Sequence, residues 1–160
     1  MPYDKFLVYI MSMSDEVWER HANPWSGWTR FATFPIWFIA IWSWTWIGWW
    51  AILPIVILSV WTWLNPRIFP PYKSDQSWMT RGVLGERIFI NRQQKPIPSE
   101  YVKIAHLLSF FAFLFLMFAI WGFIQQEFWL ALGGYLLSVF SKMWFVDRMV
   151  CLYDRMKDNP

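Results

Sequence analysis

The spacing of charged residues constrains the fold of this chain more than any other sequence feature. None of the 36 residues between Arg30 and Arg67 is charged, and uncharged runs of 23 and 14 residues lie on the two sides of Glu127. A helix that spans a bilayer needs about 20 mostly apolar residues. Because only 16% of all residues are charged and 57% are hydrophobic, the sequence predicts an all-α integral membrane protein.

Helix start and stop signals divide the uncharged runs into four predicted transmembrane helices. Asn23-Pro24 favours a helix start, since Asn caps helix N-termini and Pro is tolerated at the first position. Asn65-Pro66 is expected to end a helix, because the residue before Pro avoids helical backbone angles. The expected fold is a four-helix bundle of two transmembrane hairpins in one domain, 1–160, with helices at about 24–42, 46–64, 100–123 and 128–146.

Three further segments complete the predicted topology. Apolar residues recur at helical spacing within about 4–20, which predicts an amphipathic helix on the membrane surface. Residues 65–99 are expected to form a cytoplasmic loop, and 147–158 a cytoplasmic extension of the fourth helix. The alternative is a first hairpin that re-enters the membrane without reaching its far side.

The distribution of basic residues predicts the orientation. All 14 Lys and Arg residues fall into three stretches, which are the first 30 residues, the connection at 65–103, and 142 to the end. Because cytoplasmic segments carry an excess of Lys and Arg, we expect a multi-pass protein of the cytoplasmic (inner) membrane with both termini in the cytoplasm. The formal net charge of +3 gives no indication of nucleic-acid binding.

The 15 tryptophans form two groups on this topology. Most are expected near the two membrane–water interfaces, which is typical of indole rings that keep an apolar body and a polar N–H. Trp37 is the exception, near the middle of the membrane. An aromatic wall also suits an apolar ligand such as a pigment, and the candidates to face one are Trp37, Trp49 and Trp50.

Polar residues from separate parts of the chain are expected at the inner ends of the helices. In one interpretation they cap helices, pair with one another and anchor the bundle to headgroups. In the other they line a cytoplasm-facing pocket for a lipid headgroup, a phosphorylated metabolite or a partner subunit, because guanidinium groups bind phosphate and carboxylate well. The candidates are His21, Asn23, Arg30, Asn65, Arg67, Glu86, Arg87, Asp147 and Arg148.

The sequence lacks the residues that several classes of functional site require. One Cys and two His are too few for a metal centre, so no metal is predicted, and no cofactor can be named. The chain has no glycine-rich phosphate or dinucleotide motif. No acidic residue lies in the middle of a predicted helix, which disfavours an ion-coupled transporter.

Four motifs give the chain a resemblance to a family. They are HANPWSGWTRF at 21–31, WLNPRIFP at 63–70, GVLGER at 82–87 and KMWFVDRM at 142–149. Over about 15–156 the chain resembles a family of small, uncharacterised multi-pass membrane proteins of bacteria and archaea, held as a domain of unknown function. The resemblance implies a prokaryotic four-helix membrane protein, and it brings no activity or catalytic residues.

Two functions from different classes are consistent with these features. The first is a non-catalytic membrane protein that binds lipid or an apolar pigment, or serves as an accessory subunit of a larger membrane complex. Its expected partners are membrane lipids, other membrane subunits or further copies of itself. The alternative is a membrane-embedded enzyme for a prenyl or phospholipid substrate at the cytoplasmic leaflet, with Glu86 and Asp147 for acid–base chemistry.

Overall fold

A computed structural model describes residues 13–158 of the chain. Most of the interfacial helix predicted at about 4–20 lies outside the described residues. Within the described range all regular secondary structure is helical, which confirms the all-α class. The helices are α1 (Asp15–His21), α2 (Pro24–Trp42), α3 (Trp44–Ile47), α4 (Ile52–Ile68), α5 (Trp78–Ile90), α6 (Ser99–Gln125) and α7 (Phe128–Asp158), with a 3₁₀ turn at Gly48–Ala51.

Three stretches are long and apolar enough to cross a membrane, namely Pro24–Ile68, Ser99–Gln125 and Phe128–Lys157. Many of their large apolar side chains are exposed, including Trp129 at 80% and Phe140 at 66%. Helices that are hydrophobic all round and yet exposed suit a lipid environment and not water. These stretches indicate a membrane protein.

Helices α6 and α7 form the second of two helix pairs, and it is the more closely packed one. The chain reverses at Gln126, whose φ of 57° is left-handed. Small residues then face one another, since a Cβ at Gly134 would lie 2.5 Å from the backbone nitrogen of Ala119. Gly122 meets the backbone of Ala131 in the same way. This close approach is typical of small-residue packing between membrane helices.

Helices α2 and α4 form the first helix pair. Asn23 caps α2 by accepting a hydrogen bond from the backbone nitrogen of Trp25 at 2.9 Å. After Trp42 the chain turns through α3 and Gly48, whose φ of +53° is accessible to glycine at little cost. The returning helix α4 then packs against α2.

Helix α4 ends later than predicted from Asn65-Pro66, because it continues to Ile68. Its end is at Phe69, which is extended with φ −76° and ψ 148° and precedes Pro70. The rule that a residue before Pro avoids helical angles therefore applies here to the second proline and not to the first. Asn65 is kept helical within a buried hydrogen-bond cluster with α2.

The prediction of a loop at 65–99 also needs correction, because α5 lies within it. The buried residues Met79, Val83 and Phe89 lie on one side of α5, and Gly82 and Gly85 let this side approach α7 closely. A Cβ at Gly85 would overlap the backbone carbonyl of Met149. Packing against α7 thus stabilises a helix that the charged sequence does not suggest.

Ion pairs join the three charged stretches of the chain at one end of the helices. Asp15 pairs with Arg87, which joins α1 to α5. Helix α5 in turn pairs with α7 through Arg81 and Asp154 at 2.9 Å. Beneath these pairs the largest apolar core of the described residues comprises Phe89, Ala105, Leu108, Phe145, Met149 and Leu152.

Candidate functional site

A cavity of about 400 Å³ lies where α1, α2, α5 and α7 meet, with Thr62 of α4 and Ser109 of α6 also on its lining. We call it the charged cavity, because its lining includes the ionisable side chains of His21, Arg30, Glu86 and Lys142. Most of the remaining lining is apolar. Its volume is within the usual range of about 300–1,000 Å³ for small-molecule sites.

The corner between α1 and α2 places two of these side chains. Ser14 caps α1 by accepting from the backbone nitrogen of Val17 at 3.3 Å, and Asn23 caps α2. The short connection between α1 and α2 brings His21, at the end of α1, next to Arg30, two turns into α2. The amide of Asn23 also donates to the backbone carbonyl of Pro70 at 3.0 Å, which fixes the corner to the segment after α4.

Two glycines of α5 bring together the other two ionisable side chains, those of Glu86 and Lys142. At Gly82 a Cβ would lie 2.6 Å from Cγ1 of Val146, so a larger residue would push α5 away from α7. Because Gly82 and Gly85 keep α5 close, the Glu86 carboxylate accepts a hydrogen bond from Nζ of Lys142 at 3.0 Å. The same ammonium lies 4.5 Å from the ring centroid of Phe145.

The contact between Arg30 and His21 determines the state of the imidazole. Nη1 of Arg30 lies 3.2 Å from Nε2 of His21. Since guanidinium only donates, Nε2 must accept, and the ring is neutral with its proton on Nδ1. Burial, and then the positive charges of Arg30 and Lys142, hold the pKa of His21 well below its usual range. Nδ1 of His21 is buried and without a hydrogen-bond partner among the described residues.

The charged cavity therefore has an excess of positive charge at neutral pH. Arg30 and Lys142 are cations, Glu86 is the carboxylate that faces them, and His21 is neutral. Thr33 on the lining donates its hydroxyl to the carbonyl of Arg30 at 2.6 Å, so its oxygen lone pairs remain free to accept. Charge of this sign beside aromatic walls suits an anionic group attached to an apolar body.

A second space, which we call the apolar groove, lies between α2 and α7. It has a volume of about 530 Å³ and an almost entirely apolar lining. Phe31 and Phe34 line both the groove and the charged cavity. Tyr135 donates its hydroxyl to the carbonyl of Phe34 at 2.8 Å, which ties α7 to α2 beside this junction.

Four of the predicted candidates, His21, Arg30, Glu86 and Trp37, line the charged cavity. Asn65 is fully buried within the first helix pair, where it accepts from Ser26 at 2.7 Å. It also donates to the Thr29 hydroxyl at 2.9 Å. Asn23 is the cap of α2. These two asparagines hold the fold in place and are not among the lining residues.

The other candidates lie away from both spaces. The guanidinium of Arg67 stacks on Trp63 at 3.9 Å from the ring centroid, and Arg87 pairs with Asp15. Asp147 accepts from Arg148 at 2.5 Å. Trp49 and Trp50, in the 3₁₀ turn at Gly48–Ala51, are 75% and 76% exposed.

The enzyme alternative needs its two carboxylates at one site. Glu86 lines the charged cavity, whereas Asp147 is not among its lining residues and binds Arg148 and the indole of Trp78. Among the side chains described at 13–157, no three of His, Cys, Asp or Glu come close enough to hold a metal ion together.

The predicted binding candidates do not include Lys142, and Trp37 is the one predicted candidate among the aromatic residues that line the two spaces. The signal for Lys142 was available, since it stands within the apolar flank of α7 and needs a partner there. The glycines of the GVLGER motif were the signal for that partner, because a helix with Gly82 and Gly85 on one side can approach another closely. The aromatic walls carry no such signal in a chain with 22% aromatic residues.

Comparisons with known proteins place the chain in a family. No curated protein matches it, and neither does any solved structure. The model of a family of unknown function (DUF6653) matches residues 4–159, which is nearly the whole chain. The predicted resemblance to an uncharacterised family is thereby confirmed, and the chain belongs to this family of unknown function.

Proposed function

We propose that the protein is a non-catalytic protein of the inner membrane that binds an anionic lipid from the cytoplasmic leaflet. The headgroup lies against Arg30 and Lys142, and the apolar part of the lipid lies among the aromatic side chains. The observation that carries this proposal is the charged cavity, in which cations exceed carboxylates at the charged end of otherwise apolar helices.

The proposal includes a topology of two transmembrane hairpins with both termini and the connection between the pairs in the cytoplasm. It is supported by the ion pairs that join all three basic stretches at one end of the helices. The turn near Glu127 contains no basic residue, as expected for the outer side. In this orientation the charged cavity lies at the depth of the inner headgroups.

A cysteine scan tests this orientation. In a Cys151→Ser background, single cysteines are placed at Lys95 and at Glu127 and treated in intact cells with a thiol reagent that does not cross the membrane. We expect labelling at position 127 only. Labelling of position 95 from outside would overturn the topology.

The energetics favour an anion as the ligand. A cation in a partly buried, apolar environment is costly unless it is paired, and Glu86 neutralises only one of the two cations. A phosphate or carboxylate accepts charge-assisted hydrogen bonds from guanidinium and ammonium together, and such bonds are roughly twice as strong as neutral ones. Binding thus compensates the remaining positive charge.

Native mass spectrometry of protein purified in a neutral detergent tests lipid binding. The test variant is Arg30→Gln with Lys142→Gln, and the matched control is Lys95→Gln, whose side chain is exposed and absent from the cavity lining. We expect wild type and control to retain a bound anionic lipid that the double variant loses. A ligand-free wild type, a bound pigment or partner subunit in place of lipid, or equal retention by all three proteins would contradict the proposal.

A further inference from the structure

We infer that the ligand is an anionic amphiphile with a linear hydrocarbon chain about one leaflet long, and that this chain lies in the apolar groove between α2 and α7. The inference rests on the proposed function for the position of the headgroup. It adds where the chain lies, in which direction it runs and how long it is.

The first observation is that the groove and the charged cavity are continuous at two aromatic residues. Phe31 and Phe34 line both spaces, and their rings meet edge to face with centroids 5.4 Å apart. Arg30 directly precedes Phe31 in the sequence. An anion bound by Arg30 therefore has the entrance of the groove beside it, on the same helix.

The second observation is that two stripes of apolar side chains face each other along the groove. Helix α2 contributes Phe34, Phe38 and Trp42, each about one turn further from Arg30 than the last. Helix α7 runs in the opposite direction, and Val139 and Leu132 lie progressively further from Lys142. Both stripes start at the two cations and lead away from them.

The third observation is that aromatic rings from α2 and α7 meet at the far end of the groove. The rings of Trp42 and Phe128 meet edge to face with centroids 5.2 Å apart. The ring centroids of Phe38 and Phe128 are 5.9 Å apart. From Arg30 to Trp42 helix α2 rises about 18 Å, at 1.5 Å per residue. This length is close to half of the ~30 Å hydrocarbon core, which is the depth of one leaflet.

The charge and the shape together select the class of ligand. A free phosphate or a phosphorylated metabolite would fill only the charged cavity, and a neutral hydrocarbon only the apolar groove. An anionic headgroup on a linear chain fills both. The distance of about 18 Å along α2 from Arg30 to Trp42 sets the length of chain that the groove matches.

Two alkyl phosphates test this inference, namely hexadecyl phosphate, whose extended chain matches the groove, and octyl phosphate, about half as long. Binding is measured on the full-length protein in neutral detergent micelles by native mass spectrometry. Leu132→Trp fills the far half of the groove, and Val139→Trp fills its entrance. Leu137→Trp is the matched control, because Leu137 is on the same helix and absent from both linings.

We expect Leu132→Trp to weaken the binding of hexadecyl phosphate about tenfold, which is about 1.4 kcal/mol, because the indole takes the place of the far half of the chain. Octyl phosphate should bind this variant as it binds wild type. Val139→Trp should weaken the binding of both alkyl phosphates, and Leu137→Trp should weaken the binding of neither. Equal binding of hexadecyl phosphate to wild type and to both groove variants would overturn the inference.

Photocrosslinking of the wild type needs no variant to fold. Each alkyl phosphate carries a diazirine at the end of its chain. Crosslinks from the hexadecyl probe are expected near Trp42 and Phe128, and crosslinks from the octyl probe near Phe34 and Tyr135. Crosslinks from both probes spread evenly over the lipid-facing surface would contradict the inference.

The two proposals fail in different ways. If Arg30→Gln with Lys142→Gln leaves both alkyl phosphates bound as in wild type, the proposed headgroup site is wrong. If that double variant loses both ligands while the groove variants bind them normally, the headgroup site stands and the position of the chain is wrong.

Discussion

The two helix pairs of this protein are built from different kinds of residue. Helices α6 and α7 meet through small residues, so that Gly122 and Gly134 face the backbones of Ala131 and Ala119. Helices α2 and α4 meet through a buried polar cluster around Asn65 near one end. One pair is held by close backbone contact at these small residues, and the other by hydrogen bonds near one end.

This difference explains where the open space lies. Small residues let two helices approach until no cavity remains between them. Aromatic rings such as Phe34 and Phe38 keep helices apart, and α2 contacts α7 through such rings instead of small residues. Both the charged cavity and the apolar groove therefore lie along α2, where it faces α5 and α7.

A large effect is expected from breaking the close contact of α6 with α7. Gly134→Ala adds a Cβ that would lie 2.5 Å from the nitrogen of Ala119, which is backbone and cannot move aside easily. We expect a loss of about 3 kcal/mol in the free energy of unfolding, at the upper end for overpacking. Thermal unfolding in micelles measures it.

The neighbouring glycine provides the matched control. A Cβ at Gly133 would meet nothing within 4 Å. Gly133→Ala should leave stability unchanged or raise it by up to about 1 kcal/mol, because Ala has the higher helix propensity. Equal behaviour of the two variants would show that close approach does not hold the second pair together.

A smaller loss is expected from breaking the polar cluster of the first pair. Asn65→Leu removes the acceptor for Ser26 and the donor to Thr29 at a fully buried position. We expect a cost of about 2 kcal/mol, since buried groups left without partners cost about 1–3 kcal/mol each. Hydrogen exchange should increase in α2 and α4 and stay unchanged in α6.

Ser59→Ala is the control for this variant. Ser59 is exposed on α4 and donates only to the carbonyl of Ile55 one turn earlier, at 2.8 Å. Its removal should change exchange in neither pair. An Asn65→Leu variant that exchanges like Ser59→Ala would mean that the first pair does not depend on its polar cluster.

The sequence predicted the second pair better than the connection between the pairs. The start near Ser99 and the turn near Glu127 follow from local signals, and the observed helices agree with them. Helix α5 was missed because it is charged and amphipathic, and its stability depends on the surface of α7 against which Gly82 and Gly85 pack. Local propensity contains no information on that surface.

The site shows the same division between local and distant information. That Arg30 needs a partner follows from its position inside an apolar segment. That its neighbour is His21 depends on the angle at the corner between α1 and α2, and that Lys142 meets Glu86 depends on how closely α5 approaches α7. Residue types alone do not specify such angles and distances.

Lowering the pH is expected to destabilise the corner at which α1 joins the first pair. Since the pKa of His21 is lowered in the folded protein, the unfolded chain binds a proton more readily. The contribution of neutral His21 to stability is therefore fully present above the unfolded pKa of about 6.5. It decreases as the pH falls below that value. Between pH 7 and pH 5 we expect a loss of between about 1 and 2 kcal/mol.

Unfolding at the two pH values in His21→Gln tests this assignment. The variant should lose most of the pH dependence in this range, and His106→Gln, which changes the other histidine of the chain, should retain it. A wild-type stability that does not change between pH 7 and pH 5 would show that His21 is not held neutral by its surroundings.

The smallest effect is expected at the ion pair between Arg81 and Asp154, which joins α5 to the end of α7. The two groups lie 2.9 Å apart, but their side chains are 32% and 43% exposed, and exposed pairs contribute only about 0–1 kcal/mol. Asp154→Asn should therefore cost less than about 1 kcal/mol. Gly85→Ala, beside the backbone of Met149, should cost several times as much. Unfolding of both variants at low and high salt checks this order, because only the contribution of the ion pair decreases with salt. The reverse order would mean that α5 is held on α7 by charge and not by close packing.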